Sequence, residues 1–503
     1  MSLRLRQILL FVLALGCYAY VLPRWSDWSQ NSRLDLVLAL VDDGTVAIDR
    51  HVANTGDYAI YKGHAYSDKA PGTAFMAVPW YWALRPLLRH PLLDAQLARI
   101  SQGPALTDTL WEEGTGLRAD KLRFALTQYA LTMLAVALPA ALLLPVFYRA
   151  LLHLGAGPAP ALAGAVGYGL GSTAAVYAAN LYGHQLVAAL LFGGFWVAWS
   201  APAAPHGRLP AHGLLCGLLL GWAAIGEFPA VCPAAIIGFY ALYRRRWPWA
   251  APLALGCALP LGLMVAHNLV AFQSLLPIGY AYSAHWGEQF NNGMMGITYP
   301  RPEALWGLTF GPYRGLFVRA PWLLLALPGY LAWWRSGRLR AEWWVALLVP
   351  LTIYIVYSSS AQLWWGGFTA GPRYLVPALP FLAMPAVWWL AVGFKHRPAR
   401  AVALLLVGLS VAATWAEALA GQLFPPESIR APWQEYVWPA WAAGDIARNL
   451  GMAVGLRGPL SVLPLLLFAT ALTLLLAMPA GQPRPGSSRR GAERAAPTPA
   501  PPT

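Results

Sequence analysis

Apolar residues fill the chain in long runs, broken by polar stretches of very uneven length. A helix needs about 20 mostly apolar residues to cross a bilayer. Such runs occupy 5–22, 122–147, 160–179, 184–200, 211–226, 228–243, 249–271, 320–334, 342–357, 374–394, 401–419 and 459–478. They predict an all-α, polytopic integral membrane protein with about twelve transmembrane helices. Residues 1–478 read as one membrane-embedded domain, and the Pro-, Ala- and Arg-rich stretch 479–503 as a disordered cytoplasmic tail. The first run has the look of a secretory signal, and Gly16-Cys17 that of a lipoprotein cleavage site. The runs that follow favour an uncleaved first helix.

The polar breaks fall into two classes. Those at 23–121, 272–319, 358–373 and 420–457 are long, and the alternate ones are short apart from the tail. With the N-terminus inside, the short breaks and tail carry Arg4, Arg6, Arg149, Arg208, Arg244, Arg245, Arg246, Arg335, Arg338, Arg340, Lys395, Arg397 and Arg400, plus four tail arginines. Only Glu342 and Glu493 oppose them. Excess Lys and Arg in short loops marks the cytoplasmic side. Both termini are therefore placed in the cytoplasm, and the long loops on the outer face of the cell membrane. Rigid helices position loops that carry chemistry, so the working site is expected at the outer surface.

Composition sharpens this. Hydrophobic residues make up 58% of the 503 and charged residues 11%, which excludes a water-soluble enzyme and intrinsic disorder. The net charge of +14 follows from loop topology and does not call for a nucleic-acid partner. Cys17, Cys216, Cys232 and Cys257 all lie in apolar runs without a CxxC pair, and read as small core hydrophobes.

The first outer loop, 23–121, holds the densest candidate chemistry. In 31–43, Leu34, Val37, Leu38 and Val41 recur at helical spacing, with Ser32 as cap and Asp35 as capping-box partner. This segment is too short to span and is expected to lie in the interface, with Arg33 at headgroup depth. Asp42-Asp43-Gly44 reads as its end. Asp49 and Asp57 follow, then Ser67-Asp68-Lys69-Ala70-Pro71-Gly72 and a second apolar stretch, Phe75 to Leu88. Pro71 suits a first helical turn, and Asp68 serves equally as its cap or as an acid. Arg33 and Lys69 can reach a lipid phosphate or act as interfacial anchors. Asp35, Asp49, Asp57 and Asp68 are carboxylates able to take a proton from an acceptor hydroxyl.

These residues resemble the membrane-embedded C-type glycosyltransferases, in particular the protein O-mannosyltransferase and aminoarabinose transferase branch. Ser67-Asp68-Lys69-Ala70-Pro71-Gly72 is similar to that group's Glu-Lys-Pro-Pro stretch, and Asn31-Ser32-Arg33-Leu34 to its Asp-Glu-x-Arg-Tyr stretch. The resemblance implies transfer of a sugar from a polyprenyl-phosphate carrier to a glycan, lipid or protein acceptor outside the cytoplasm. It also implies carrier-phosphate contacts for Arg33 and Lys69, with Asp68 as the acidic neighbour. The group's Asp-Glu pair falls here on Gln30 and Asn31, which cannot act as bases, so Asp35, Asp49 or Asp57 is expected to have the role.

Other polar groups at membrane depth add to the list. His184, at an outer helix junction, is a carrier-phosphate candidate or a hydrogen-bonded turn histidine. Glu227, at another junction, reads as a sugar ligand or an arginine's partner, and Glu417 as interfacial. The loop 272–319 has Tyr280, Tyr282, His285, Trp286, Glu288, Asn291 and Asn292, then Tyr313 and Arg314 in a glycine-flanked turn. Trp364-Trp365 and Arg373 come next; Tyr313, Arg314 and Trp365 suit a sugar or acceptor, and Arg373 a phosphate. No Walker loop, HExxH or GxSxG motif occurs. No cofactor is required, and no ligand spacing declares a divalent metal, though the acidic loop could hold one. The competing expectation is a lipid-linked sugar transporter or flippase using the same cations; a non-catalytic scaffold stands behind both.

Overall fold

The computed structural model describes residues 1–24, 27–102, 121–202, 211–276, 278–360 and 363–478. Among the described residues seven helices are long and apolar enough to cross a membrane: Leu3–Tyr20, Leu122–Leu154, Trp247–Phe272, Arg340–Ser358, Arg373–Gly393, Arg397–Leu419 and Gly458–Ala477. The second has 33 residues and carries one wide turn, Met133–Ala137, in its length. The tail from 479 lies outside the described residues.

Of the remaining apolar runs, 184–200 is one continuous helix, Gly183–Ser200, and the others are helical but shorter or broken. The run at 160–179 splits into Pro158–Gly169 and Thr173–Ala178, because Ser172 turns back to the Tyr168 carbonyl and then caps the second piece. The run at 320–334 starts as a tight turn, Pro321–Leu325, before Ala326–Arg335, and the run at 228–243 divides in the same way at Ala230. Thr173–Ala178 is buried throughout. Interrupted backbone is tolerated at membrane depth where protein surrounds it.

Small residues let the helices close up. A Cβ on Gly217 would lie 2.0 Å from the Leu253 carbonyl oxygen, and one on Gly256 2.2 Å from that of Leu214. The helices Ala211–Gly226 and Ala250–Phe272 therefore touch backbone to backbone, the usual solution where lipid removes the hydrophobic drive. Cys17 and Cys216 are buried as expected, whereas Cys232 is exposed on the helix surface.

The first loop departs from its sequence reading in three ways. Its helix is Trp28–Leu38, beginning earlier than Ser32, and Asp27 is the cap. Residues Ser29 to Val37 are all buried, so this helix is enclosed by protein on every face and not on its apolar face alone. It ends in a wide turn, Ala39–Asp43, closed by Gly44 at φ 67°. Asp42 there binds Arg85, Arg89 and Tyr81, clamping the turn to the helix Gly72–Leu88. The third departure is an antiparallel hairpin, Tyr58–Tyr61 with His64–Ser67, turning on Lys62 and Gly63, both at positive φ. Two residues of positive φ match the twist that a two-residue hairpin needs.

Candidate active site

The hairpin register builds the first half of the site. Tyr58 pairs with Ser67, so the residues just outside the pair, Asp57 and Asp68, come to the same end. Lys69 follows and bridges them, with Nζ 2.9 Å from Asp57 Oδ2 and 3.0 Å from Asp68 Oδ1. Trp286 Nε1 donates to Asp57 at 3.0 Å, and Ser283 Oγ to Asp68 at 2.9 Å. Asp68 thus caps nothing: the helix Gly72–Leu88 starts without a side-chain cap. Burial raises both carboxyls, and Lys69 opposes it. For Asp57 the ammonium and Trp286 win, holding it below the usual carboxylate range. For Asp68 burial and the neighbouring Asp57 charge win, leaving it above that range. Burial alone would lower the Lys69 ammonium, but the two carboxylates carry it upward, so it stays charged.

The second half comes from the start of Trp28–Leu38. Asp27 accepts the Gln30 N–H at 3.2 Å as N-cap, which a helix N-terminus favours. Its other oxygen takes the Tyr182 hydroxyl at 2.5 Å. Burial raises the Asp27 carboxyl above its ordinary range, although Tyr182 and Arg373 pull it back. Gln30 is a clip: its side chain accepts from Leu181 N and donates to the Arg24 carbonyl and to Asn180. It fixes the loop to the junction that carries Tyr182.

Arg373 opens the span Arg373–Gly393. Its guanidinium lies 5.1 Å from the ring centres of both Tyr182 and Tyr374. Its Nε is buried with no hydrogen-bond partner, and among the described residues no carboxylate lies within 4.0 Å of it. Gly366, at φ +81°, permits this approach, since a Cβ there would stand 3.0 Å from that Nε. Asp27, Asp57, Lys69 and Arg373 all line one cavity of about 490 Å³, walled by Trp286, Phe290 and others.

The other candidates lie elsewhere. Arg33 is spent on a buried ion pair with Glu227 at 2.8 Å and on Ser29, off the cavity wall. His184 stands beside them, stacked on Tyr182, with Nδ1 3.6 Å from Glu227 and no hydrogen bond there. Asp35 is buried and takes Asn54 Nδ2 at 2.9 Å, so it is no capping-box partner; burial raises it well above its ordinary range. Asp49 is half exposed and holds His64 and the Ala65 N–H, away from the cavity. Arg314 is fully buried and donates to the carbonyls of Trp365 and Gly367, which staples that loop. Burial holds its guanidinium down to about 10. Tyr313 donates to the Glu427 carbonyl, and Trp365 Nε1 holds the Glu427 carboxylate at 2.8 Å on the cavity rim. Glu417, near the end of its helix, forms a fully buried pair with Arg319 at 2.8 Å.

Asp27, Tyr182 and Glu427 are absent from the sequence-derived candidates. A signal for Asp27 exists, because Asp27-Trp28-Ser29-Gln30 fits the capping-box pattern better than Ser32 with Asp35. Among the described residues no three His, Cys, Asp or Glu side chains converge to hold a metal ion.

The Arg33–Glu227 pair yields a stability prediction. Arg33→Met strands a buried carboxylate beside His184, so the loss is expected to be about 3–5 kcal/mol, read by unfolding in detergent. The double variant R33M/E227L should recover most of it. A single variant as stable as the parent would show that the pair does not hold the loop.

No family model matches the chain, and no curated protein matches it. The fold is similar to the crystal structure of ArnT from Cupriavidus metallidurans in the apo state, with TM-score 0.50 and 18% identity over 94% of this chain and 77% of that one. It is also similar to ArnT from the same organism bound to undecaprenyl phosphate, at TM-score 0.45 and 16% identity, covering 94% and 76%. The chain thus shares the helical, multi-pass membrane fold of the apo ArnT structure.

Proposed function

We propose that this protein is a glycosyltransferase, moving a sugar from a polyprenyl-phosphate carrier to an acceptor at the outer face of the cell membrane, with both termini cytoplasmic and residues 1–478 acting as one unit. The observation that carries the reading is Arg373: a buried guanidinium without a carboxylate partner, lining a cavity that also holds the carboxylate Asp27. A cation left unpaired in a low-dielectric site is suited to an incoming anion, and a phosphate fits a guanidinium fork. The fold shared with the apo ArnT structure supports the same class.

In this reading the carrier phosphate sits against Arg373. Lys69 has spent two of its three N–H donors on Asp57 and Asp68, and turns the third to the phosphate. Asp27 accepts the proton of the acceptor hydroxyl. The freed oxygen attacks the anomeric carbon, the carbon–oxygen bond to phosphate breaks, and the electron pair leaves with the carrier phosphate. Arg373 and Lys69 stabilise the charge that grows there. Displacement from the opposite face inverts the anomeric centre. Asp57 is the poorer base, because Lys69 and Trp286 hold it ionised and occupied. Among the described acidic groups of this loop, Asp27 alone combines cavity exposure with a raised carboxyl.

The test is purified full-length protein with synthetic polyprenyl-phosphate sugars and a panel of glycan, lipid and peptide acceptors. Release of carrier phosphate with matching glycosylated acceptor is expected. Intact donor crossing the vesicle membrane without cleavage would overturn the reading in favour of transport.

A further inference from the structure

A second cavity, of about 590 Å³, lies far from the first. The span Arg373–Gly393 connects them: Arg373 lines one cavity, and Trp388, Ala391 and Val392 line the other. Its 21 residues cover about 30 Å, the thickness of a bilayer core, so the two cavities open at opposite interfaces.

The second cavity is built from one sign of charge. Arg338, Lys395 and Arg400 line it, and no Asp or Glu does. Among the described residues none of the three is within 4.0 Å of a carboxylate. Glu342, the acidic residue of this end, is buried and already held by Tyr240 and Arg244. The rest of the wall is apolar: Leu154 at the end of its helix, Ala391, the half-exposed Val392, and Trp388, whose ring stacks on buried Trp333 at 5.2 Å. The backbone 155–157 closes the rim, where Gly155 at φ 101° ends one helix and Gly157 precedes the next without a side-chain cap.

We propose that this cavity binds the phosphodiester headgroup of an anionic phospholipid from the leaflet opposite the catalytic cavity. Three cations converging on one hollow neutralise a phosphate, and the apolar wall continues toward the bilayer where an acyl chain runs. Loose basic residues placed only by topology would need neither the hollow nor the aromatic floor. The site is independent of the transfer chemistry, so its failure would leave the glycosyltransferase reading standing.

The experiment is native mass spectrometry of the full-length protein released from nanodiscs of phosphatidylglycerol mixed with phosphatidylcholine. The parent is expected to retain phosphatidylglycerol selectively. The triple variant R338Q/K395Q/R400Q should lose that preference by about tenfold or more. A control triple, R4Q/R149Q/R246Q, removes equal charge from residues outside the cavity and should keep it. Equal losses in both triples would overturn the site and leave diffuse surface charge as the cause. Loss of bound phosphatidylglycerol on adding inorganic phosphate would overturn the lipid assignment and leave a free-phosphate site.

Discussion

Asp27→Asn should abolish transfer while the donor still binds. Asn caps helices as well as Asp, so the Gln30 N–H keeps its acceptor and the fold keeps its stability. The oxygen that takes the Tyr182 hydroxyl becomes an NH2 donor, from which that hydroxyl can accept after turning. The helix cap is retained, and what the site loses is a group able to take a proton. General-base groups contribute about 10²–10⁴-fold, and kcat should fall by that factor with donor affinity little changed. The parent's pH profile should carry the same signature. The base works only when ionised, so the rate falls as pH drops through the Asp27 midpoint, which burial sets above the ordinary carboxylate range. Asp57→Asn should behave differently. It leaves one acceptor oxygen for Lys69 and Trp286 together and removes a negative charge from beside Lys69, so donor binding changes along with turnover. Turnover by D27N within a few-fold of the parent would remove Asp27 from the chemistry.

Much of the architecture is legible in the hydrophobic runs, because hydropathy reports burial in lipid directly. What it does not report is backbone continuity. Nothing in the apolar content of 160–179 separates Pro158–Gly169 from Thr173–Ala178, since the break depends on where Ser172 sends its hydroxyl. The hairpin was hidden for another reason: its strands have four residues each, too few for alternation to declare itself.

The site divides along the same line. Asp57, Asp68 and Lys69 lie within one short stretch, and the local pairing of a hairpin is enough to join them. Arg373 stands out as a cation at the outer end of an apolar run. Asp27 does not, because motif likeness sets the register on Gln30 and Asn31, whereas capping places the carboxylate that lines the cavity a helical turn earlier. Arg33 has the composition of a phosphate ligand, but its partner is Glu227, 194 residues away. Such pairings depend on how helices pack, and no local pattern announces them. The same holds for Glu427, which Trp365 and Tyr313 hold at the cavity rim.

Arg373→Gln should lower kcat by about 10²–10³-fold, the usual effect of removing one donor aimed at developing charge. The donor phosphodiester carries one negative charge when bound and gains more as the bond to sugar breaks. The loss should therefore weigh on kcat more than on KM. Arg373→Lys keeps a charge but gives up the flat guanidinium that lies against Tyr182 and Tyr374, so it should restore only part of the rate. A second effect separates this role from mere packing. The Arg373 charge holds the Asp27 carboxyl down against burial. Without it the Asp27 midpoint rises further, and the acid limb of the rate profile should move to higher pH in R373Q but not in R373K. The measurement is kcat against pH for the parent and both variants. An acid limb that stays in place, with R373Q turning over within threefold of the parent, would mean that Arg373 and Asp27 do not share one site.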